Sequence, residues 1–136
     1  MEKVLEIRVE ITGEQRVRGF AGEAAMVAFA GDADSAAFRG RILAGGIDTQ
    51  KQLAGRRTLS ARYMLEGTDC TGAACRLFVE NNAELPAPGG ALETHPMILT
   101  DSAALKWLET APLTGRLLPG PKGPLIQIFA ERPAQS

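Results

Sequence analysis

The residues best suited to chemistry in this sequence are polar and aromatic side chains near the ends of candidate β-strands. Carboxylates such as Asp48 and Glu80 have the chemistry of a general base. An arginine–glutamate pair, here Arg62 with Glu80, suits a charged ligand when it lines a cavity. The candidate ligand-binding residues are Asp48, Gln50, Arg62, Tyr63, Glu80 and Trp107.

The same residues also have an ordinary structural interpretation. If the Arg62–Glu80 pair faces water, it is a cross-strand salt bridge worth about 0–1 kcal/mol. Trp107 would either fill the mouth of a barrel as core or form the wall of a ligand pocket. Both faces of the strands that carry the pair are partly apolar, so alternation leaves open which face points inward.

Metal, redox and nucleotide motifs are missing from the sequence. His95 is the single histidine, so a histidine-based hydrolase would depend on it, and we expect it to be an exposed loop residue. Cys70 and Cys75 do not have the C-x-x-C spacing of redox motifs. We expect two reduced thiols, with a disulfide between them left open. The segment PGPKGP lacks the serine or threonine of a phosphate loop. We therefore expect no metal and no cofactor.

The composition is that of an ordinary soluble domain. The chain has 136 residues, a formal net charge of -1 and 23% charged residues. It carries no run of basic residues, which disfavours nucleic acid and anionic membranes as partners. No apolar stretch reaches the roughly 18 residues of a membrane span, and the first residues lack the order of a signal peptide. We expect one cytoplasmic domain over residues 1–136.

Alternating and short apolar runs predict a chain built mainly of β-strands. Residues 4–11 are largely alternating apolar and charged side chains, which is typical of a half-buried strand. The pair Gly45–Gly46 predicts a sharp turn or bulge, since glycine reaches positive φ without strain. Further strands are predicted at residues 16–20, 25–30, 38–43, 115–118 and 125–131.

Two segments depart from this strand pattern. Residues 82–95 contain two prolines and a Gly–Gly pair, which predicts a long loop. Residues 103–109 are mostly good helix formers, preceded by Asp101 or Ser102 as N-cap and followed by Pro112. They predict a helix of about two turns, which must dock onto the sheet to be stable.

Residues 59–67 and 75–82 predict an antiparallel hairpin with one preferred register. When the partner numbers sum to 142, Arg62 faces Glu80, and Glu66 faces Arg76. The same register pairs three sets of apolar side chains: Met64 with Phe78, Tyr63 with Val79, and Leu65 with Leu77. Each such pair contributes roughly 0.2–1 kcal/mol, and a slip by one residue would turn every side chain to the wrong face.

The connections between these strands are short turns rather than helices, which excludes a doubly wound α/β fold. We predict an all-β fold, an antiparallel up-and-down β-barrel of about 7–9 strands with one short helix.

Four segments, FRGRILAGGIDTQ, LSARYMLEG, LFVENN and ILTDSAALKWLE, occur in this order along the chain. They resemble a family of small bacterial proteins known as domain of unknown function 3237. The matching positions are Gly45, Gly46, Asp48, Gln50, the Ala61–Arg62–Tyr63 run and the Trp107–Leu108 pair. The resemblance covers nearly the whole chain. It implies a compact antiparallel β-barrel and no particular activity.

Three functions remain open from the sequence. The first is a barrel that binds a small organic molecule in its interior, with or without catalysis. The second is an interaction or structural module that forms a homo-oligomer such as a homodimer. The third is a hydrolase that depends on His95.

Overall fold

The structure, a computed structural model, describes residues 1–85 and 92–133. Within these residues the chain forms nine strands and one 3-10 turn, Lys106–Glu109. The strands are β1 (Glu2–Arg18), β2 (Gly22–Asp34), β3 (Phe38–Ile42), β4 (Ile47–Leu53), β5 (Arg56–Asp69), β6 (Ala74–Glu84), β7 (Leu92–Thr100), β8 (Leu113–Leu118) and β9 (Leu125–Ala130).

The strands close into an antiparallel barrel, as predicted. Strand β1 pairs with β2 on one side and with β9 on the other, so the sheet of described strands has no free end. Strands β3 and β4 both lie between β2 and β5, one after the other. The nine strands therefore occupy eight positions around the barrel, in the up-and-down order of the chain.

The break between β3 and β4 falls at the predicted glycine turn. Gly45 has a φ of +108°, a conformation that glycine adopts without steric cost. Backbone hydrogen bonds hold both ends of the break, from Leu43 N to Met64 O at 2.8 Å and from Phe29 N to Gly46 O at 3.1 Å. The chain therefore leaves the sheet for a few residues and returns to the same position.

The hairpin β5–β6 has the predicted register at every pair, including Arg62 with Glu80 and Leu65 with Leu77. Its two faces differ sharply in burial. Tyr63, Leu65 and Leu77 are at most 3% exposed and point into the barrel. Arg62 is exposed on the outer face. The face that carries Tyr63, Leu65 and Leu77 is therefore the inner face of the barrel, and the face that carries Arg62 is the outer one.

Strand β1 is longer than predicted because it contains a bulge. Its pairing with β2 shifts register between Ile11 and Gly13, and glycine within a strand is a common mark of such a bulge. The predicted second strand at residues 16–20 is therefore wrong. Those residues up to Arg18 are the second half of β1.

The predicted loop at residues 82–95 is largely wrong where the structure describes it. Strand β6 continues to Glu84, and β7 already begins at Leu92, so His95 lies in a strand rather than a loop. Its side chain is exposed. Thr94 and Ile98 are buried, while His95 and Met97 between them are exposed. This strand alternation holds although Pro96 lacks the backbone N–H that a strand normally uses for pairing. Residues 86–91, the middle of the predicted loop, lie outside the described residues.

The helix predicted at residues 103–109 is a single 3-10 turn. Ser102 Oγ accepts a hydrogen bond from Leu105 N at 3.1 Å and donates one to Asp69 Oδ2 at 2.7 Å. Leu105 and Leu108 are at most 2% exposed and belong to the barrel core. Because the segment is fastened at Asp69 and plugs the barrel end with two leucines, packing rather than helix length holds it in place.

The core fills one half of the barrel. It is built from the inward side chains of the strands together with the 3-10 turn, and its largest fully buried members are Leu5, Ile7, Phe38, Leu65, Leu77, Ile98, Leu105, Leu108 and Ile128. In the described ranges no helix has the length and apolar character needed to cross a membrane.

The inner face should dominate stability. Leu77 is fully buried, so Leu77→Ala should lower the free energy of unfolding by about 2–5 kcal/mol through lost burial and the cavity that remains. Leu53→Ala, at a position 47% exposed, should change it by less than about 0.5 kcal/mol. Urea unfolding followed by circular dichroism measures both values. Similar losses for the two variants would contradict the assignment of faces.

Candidate functional site

A cavity of about 270 Å³ occupies the half of the barrel opposite the 3-10 turn. The two halves can be followed along single strands. On β5, Leu59 and Ala61 line the cavity, and Leu65, further along the strand, belongs to the core. On β6, Asn81 lines the cavity and Leu77 belongs to the core. The cavity is lined by Val9, Ile11, Glu14, Arg16, Val27, Phe29, Asp48, Gln50, Leu59, Ala61, Asn81, Leu117, Pro124 and Ile126.

Asp48 is the carboxylate inside this cavity. It stands on β4 between Val27 and Ala61, so it shares the inward face of those apolar neighbours. Gln50 Nε2 donates a hydrogen bond to Asp48 Oδ2 at 2.9 Å. The other oxygen, Oδ1, is buried and has no hydrogen-bond partner among the described residues. Burial raises the pKa of Asp48, while the Gln50 hydrogen bond lowers it, and burial is the larger effect.

Asn81 supplies a second unsatisfied acceptor. It is 1% exposed, and its Oδ1 also finds no partner in the described part of the chain. The row Asp48–Ala61–Asn81 runs across three neighbouring strands, which places the two Cα atoms roughly 10 Å apart. Two buried oxygen acceptors thus face one apolar cavity, an arrangement that costs free energy unless donors satisfy them.

Thr94 lies beside Asn81 on the same inner face, and its Oγ1 is also buried and unsatisfied by described residues. Its strand partner is Gly115. A side chain at Gly115 would meet Thr94 Oγ1 at 2.1 Å, so glycine is needed there for the hydroxyl to fit. The polar atoms next to the cavity therefore include a hydroxyl as well as the amide and the carboxylate.

Charged residues line the solvent end of the cavity. Beyond the β1 bulge, Glu14 and Arg16 pair with Val27 and Ala25 and share their inward face. The Arg16 guanidinium forms ion pairs with both Glu14 and Glu23. The hydrogen bond from Arg16 lowers the pKa of Glu23. Both side chains lining the cavity, Glu14 and Arg16, stay nearly half exposed, so water reaches the cavity past this cluster.

Tyr63 lies one step below the cavity rather than on its wall. Its ring packs edge-on against Phe29, with 5.5 Å between ring centroids. The hydroxyl is buried with no partner within residues 1–85 and 92–133, and burial raises the pKa of Tyr63. Phe29 itself lines the cavity. The two rings therefore separate the cavity from the solid core.

The remaining candidates lie elsewhere. Arg62 and Glu80 form an ion pair on the outer face, with Nε and Oε1 3.2 Å apart, and they do not line the cavity. Trp107 lies at the plugged end of the barrel, where the Arg132 guanidinium stacks 4.3 Å from its ring centroid. His95 is on the outer face opposite Asn82. Of the six predicted ligand-binding residues, the structure brings only Asp48 and Gln50 together in the cavity.

Sequence reasoning missed Asn81, Glu14 and Arg16. The register that pairs Arg62 with Glu80 also pairs Ala61 with Asn81, so a polar residue on the apolar face was visible in the sequence. Gly13 marks the bulge that turns Glu14 and Arg16 inward, although its position alone does not say which way the strand continues. Cys70 and Cys75 are both unpaired thiols, one exposed and one buried.

Comparison with known proteins supports the fold. No protein-family model and no curated protein matches the chain. A Clostridium acetobutylicum protein of unknown function is similar in structure, with 22% identity and a TM-score of 0.77 over 95% of this chain and 94% of its own. A β-barrel-like protein from Acinetobacter baumannii has 16% identity and a TM-score of 0.76 over 95% and 93%. An enzyme from Penicillium herquei has 17% identity and a TM-score of 0.68 over 96% and 92%. These TM-scores, over nearly the whole of each chain, show a shared barrel fold.

Removing the charge at Asp48 should stabilise the protein near neutral pH. Because burial raises its folded-state pKa, the folded protein holds this proton more tightly than the unfolded chain, so wild type loses stability as the pH rises from the unfolded pKa through the folded one. Asp48→Asn keeps an acceptor for Gln50 and removes the penalty. Its advantage over wild type should be present at pH 7.5 and shrink as the pH falls towards about 4, near the unfolded pKa. Urea unfolding at several pH values measures it.

The matched control is Asp34→Asn. Asp34 is an exposed carboxylate on the outer face, paired with Arg39 at 3.1 Å, and exposed pairs contribute about 0–1 kcal/mol. It should not reproduce the gain in stability. An Asp48→Asn variant that is less stable than wild type at pH 7.5 would contradict this account of the cavity.

Proposed function

We propose that this protein binds a small organic molecule in the cavity of its barrel. The observation that carries the proposal is the pair of buried, unsatisfied acceptors, Asp48 Oδ1 and Asn81 Oδ1, on the two sides of one apolar cavity. Natural proteins rarely leave such atoms unpaired. A ligand with hydroxyl or N–H groups would supply the missing donors.

The lining limits the ligand's chemistry. Apart from Asp48, Gln50 and Asn81, the interior positions are aliphatic or aromatic, with Phe29, Leu59 and Ile126 among them. The volume of about 270 Å³ lies at the small end of ligand pockets, which span roughly 300–1,000 Å³. A compact, mostly apolar molecule with one or two hydrogen-bond donors fits both features. Aromatic alcohols and phenols are examples.

The charged residues at the open end of the cavity disfavour an anionic ligand. Among the described residues that line the cavity, Arg16 is the one cation, and Glu14 and Glu23 already pair with it. The lining therefore offers little positive charge to an anionic group. Inside, Asp48 would repel an anion when it is ionised. A neutral ligand is therefore favoured over a carboxylate or a phosphate.

Proton transfer to the bound molecule is a second candidate function. Burial raises the pKa of the Asp48 carboxyl group towards neutral pH. A group whose pKa lies near the operating pH can both donate and accept a proton. The similarity to an enzyme from Penicillium herquei is consistent with chemistry on this fold, although one fold hosts many functions. In that case Asp48→Asn would keep binding and lose turnover of the bound compound.

We further propose a cytoplasmic location, because the unpaired thiols Cys70 and Cys75 suit a reducing compartment. Membership of the domain of unknown function 3237 family is likewise a proposal. It rests on the four sequence segments and on the barrel fold that the family implies.

A screen of neutral phenols and aromatic alcohols by thermal shift tests the binding proposal. A compound at about 100 times its Kd adds roughly 2.7 kcal/mol to stability, which corresponds to a rise in Tm of about 5–10 °C for a chain of this size. Ala61→Phe fills the cavity and should abolish the shift. Ala30→Phe, on the exposed outer face of β2, is the matched control and should preserve it.

Ligand binding is compared only between variants that are folded. Circular dichroism of both phenylalanine variants establishes that they are folded before binding is compared. A library-wide absence of shifts in wild type, or a shift that survives Ala61→Phe, would overturn the proposal.

A further inference from the structure

We propose that the outer face of the β5–β6 hairpin and its neighbouring strands is the contact surface of a homodimer. The surface is an apolar patch flanked by two cross-strand ion pairs, Arg62–Glu80 and Arg76–Glu66, and Arg41 lies beside the second, 3.9 Å from Glu66. The patch, called here the outer apolar patch, consists of Ile47, Met64, Phe78, Met97 and Leu99. The proposal does not depend on the cavity, which lies on the opposite face of the same strands.

The outer apolar patch is continuous across neighbouring strands. Met64 pairs with Phe78, and Phe78 pairs with Leu99, which makes one apolar row across three strands. Met97 and Ile47 are at the two ends of the next row. Leu99 is 51% exposed and Met97 is 39% exposed, while Ile47, Met64 and Phe78 are half-buried. Outward positions of a lone barrel are normally polar, and contiguous exposed apolar side chains mark interaction surfaces.

Two ion pairs lie on either side of the Met64–Phe78 centre. Arg62 and Glu80 are 3.2 Å apart in one flanking row, and Arg76 and Glu66 are 2.8 Å apart in the other. The four charged side chains form the corners of a rectangle. Their signs alternate around it, because each of the two strands carries one arginine and one glutamate. The rectangle measures roughly 13 Å along the strands and 5 Å across them.

This arrangement of charge is complementary to itself. When a second copy faces the first and is related by a two-fold axis in the plane of contact, each corner meets a corner of the other copy. Whether the axis runs along the strands or across them, every arginine then lies over a glutamate. The apolar centre lies over an apolar centre in both cases. A two-fold dimer needs such a self-matching surface.

The same property favours a second copy over an unrelated partner. A different protein would have to carry an alternating rectangle of the same dimensions, whereas a second copy carries it by construction. Because a barrel surface is convex, the area of contact is limited, and we expect a dimer with a Kd in the micromolar range. Sheets packed face to face stand about 10 Å apart, a distance that Met64, Phe78 and Leu99 can fill.

Sedimentation velocity of the purified chain from about 2 to 200 µM tests the proposal, since a reversible dimer depends on concentration. Wild type should shift from monomer to dimer across this range. Leu99→Glu places a charge at the exposed end of the apolar Met64–Phe78–Leu99 row and should raise the dimer Kd at least about tenfold. Val17→Glu makes a comparable change at an exposed position on β1, 63% exposed and outside the patch, and should leave the Kd unchanged.

A second pair of variants tests the charges. Glu66→Lys with Glu80→Lys makes all four corners positive and should abolish the dimer for either direction of the axis. Glu2→Lys with Glu84→Lys changes the net charge by the same amount and also breaks two ion pairs, those with Arg132 and Arg56. That control should still dimerise.

Three results would overturn the proposal. They are a wild-type chain that stays monomeric at the highest concentration, a Leu99→Glu variant that dimerises as wild type does, and a Val17→Glu variant that loses the dimer equally. Circular dichroism of each variant separates loss of dimer from loss of fold.

Discussion

The pairing of β1 with β9 is the contact on which the rest of the structure depends. It joins the first strand to the last and, with the β1–β2 pairing, closes the sheet. An open sheet would leave a row of unpaired backbone donors and acceptors at each edge, whereas a closed barrel has none. Closure also creates an inside. Every second residue of every strand must then fit into a common interior.

The interior is divided into a solid half and a hollow half, and side-chain size accounts for the division. At the plugged end, large side chains such as Phe38, Leu65 and Ile128 meet in the middle, and Leu105 and Leu108 fill the opening from the 3-10 turn. At the other end, the inward positions include Ala61, which is too small to reach the centre. Phe29 and Tyr63 form the boundary between the halves.

Much of the fold is predictable from the sequence, because alternation and cross-strand pairing are local. The β5–β6 register follows from two charge pairs and three apolar pairs within 24 residues, and the structure has that register at every position. Strand β4 is different. Its residues, IDTQKQL, are mostly polar, and they form a strand because β2 and β5 offer hydrogen bonds on both sides. Such long-range pairing overrides the weak strand preference of the segment itself.

The candidate site was only partly predictable for a related reason. Asp48 and Gln50 follow a glycine turn, and Asn81 follows from the hairpin register, so local patterns indicate them. Which face is interior depends on closure, and the Arg62–Glu80 pair shows that a cluster of suggestive residues can lie on the outside. Glu14 and Arg16 face inward only because the bulge at Gly13 shifts the alternation by one residue. No local pattern encodes that outcome.

The two proposed surfaces share the same strands without interfering with each other. On β6, Asn81 and Leu77 point inward while Phe78 and Glu80 point outward, because successive side chains in a strand alternate between faces. A ligand inside the barrel therefore touches none of the side chains that would meet a second copy. Coupling between binding and dimerisation would have to travel through the backbone of the β5–β6 hairpin. That backbone is hydrogen-bonded on both sides, so it resists the displacement such coupling needs, and the two events should be nearly independent.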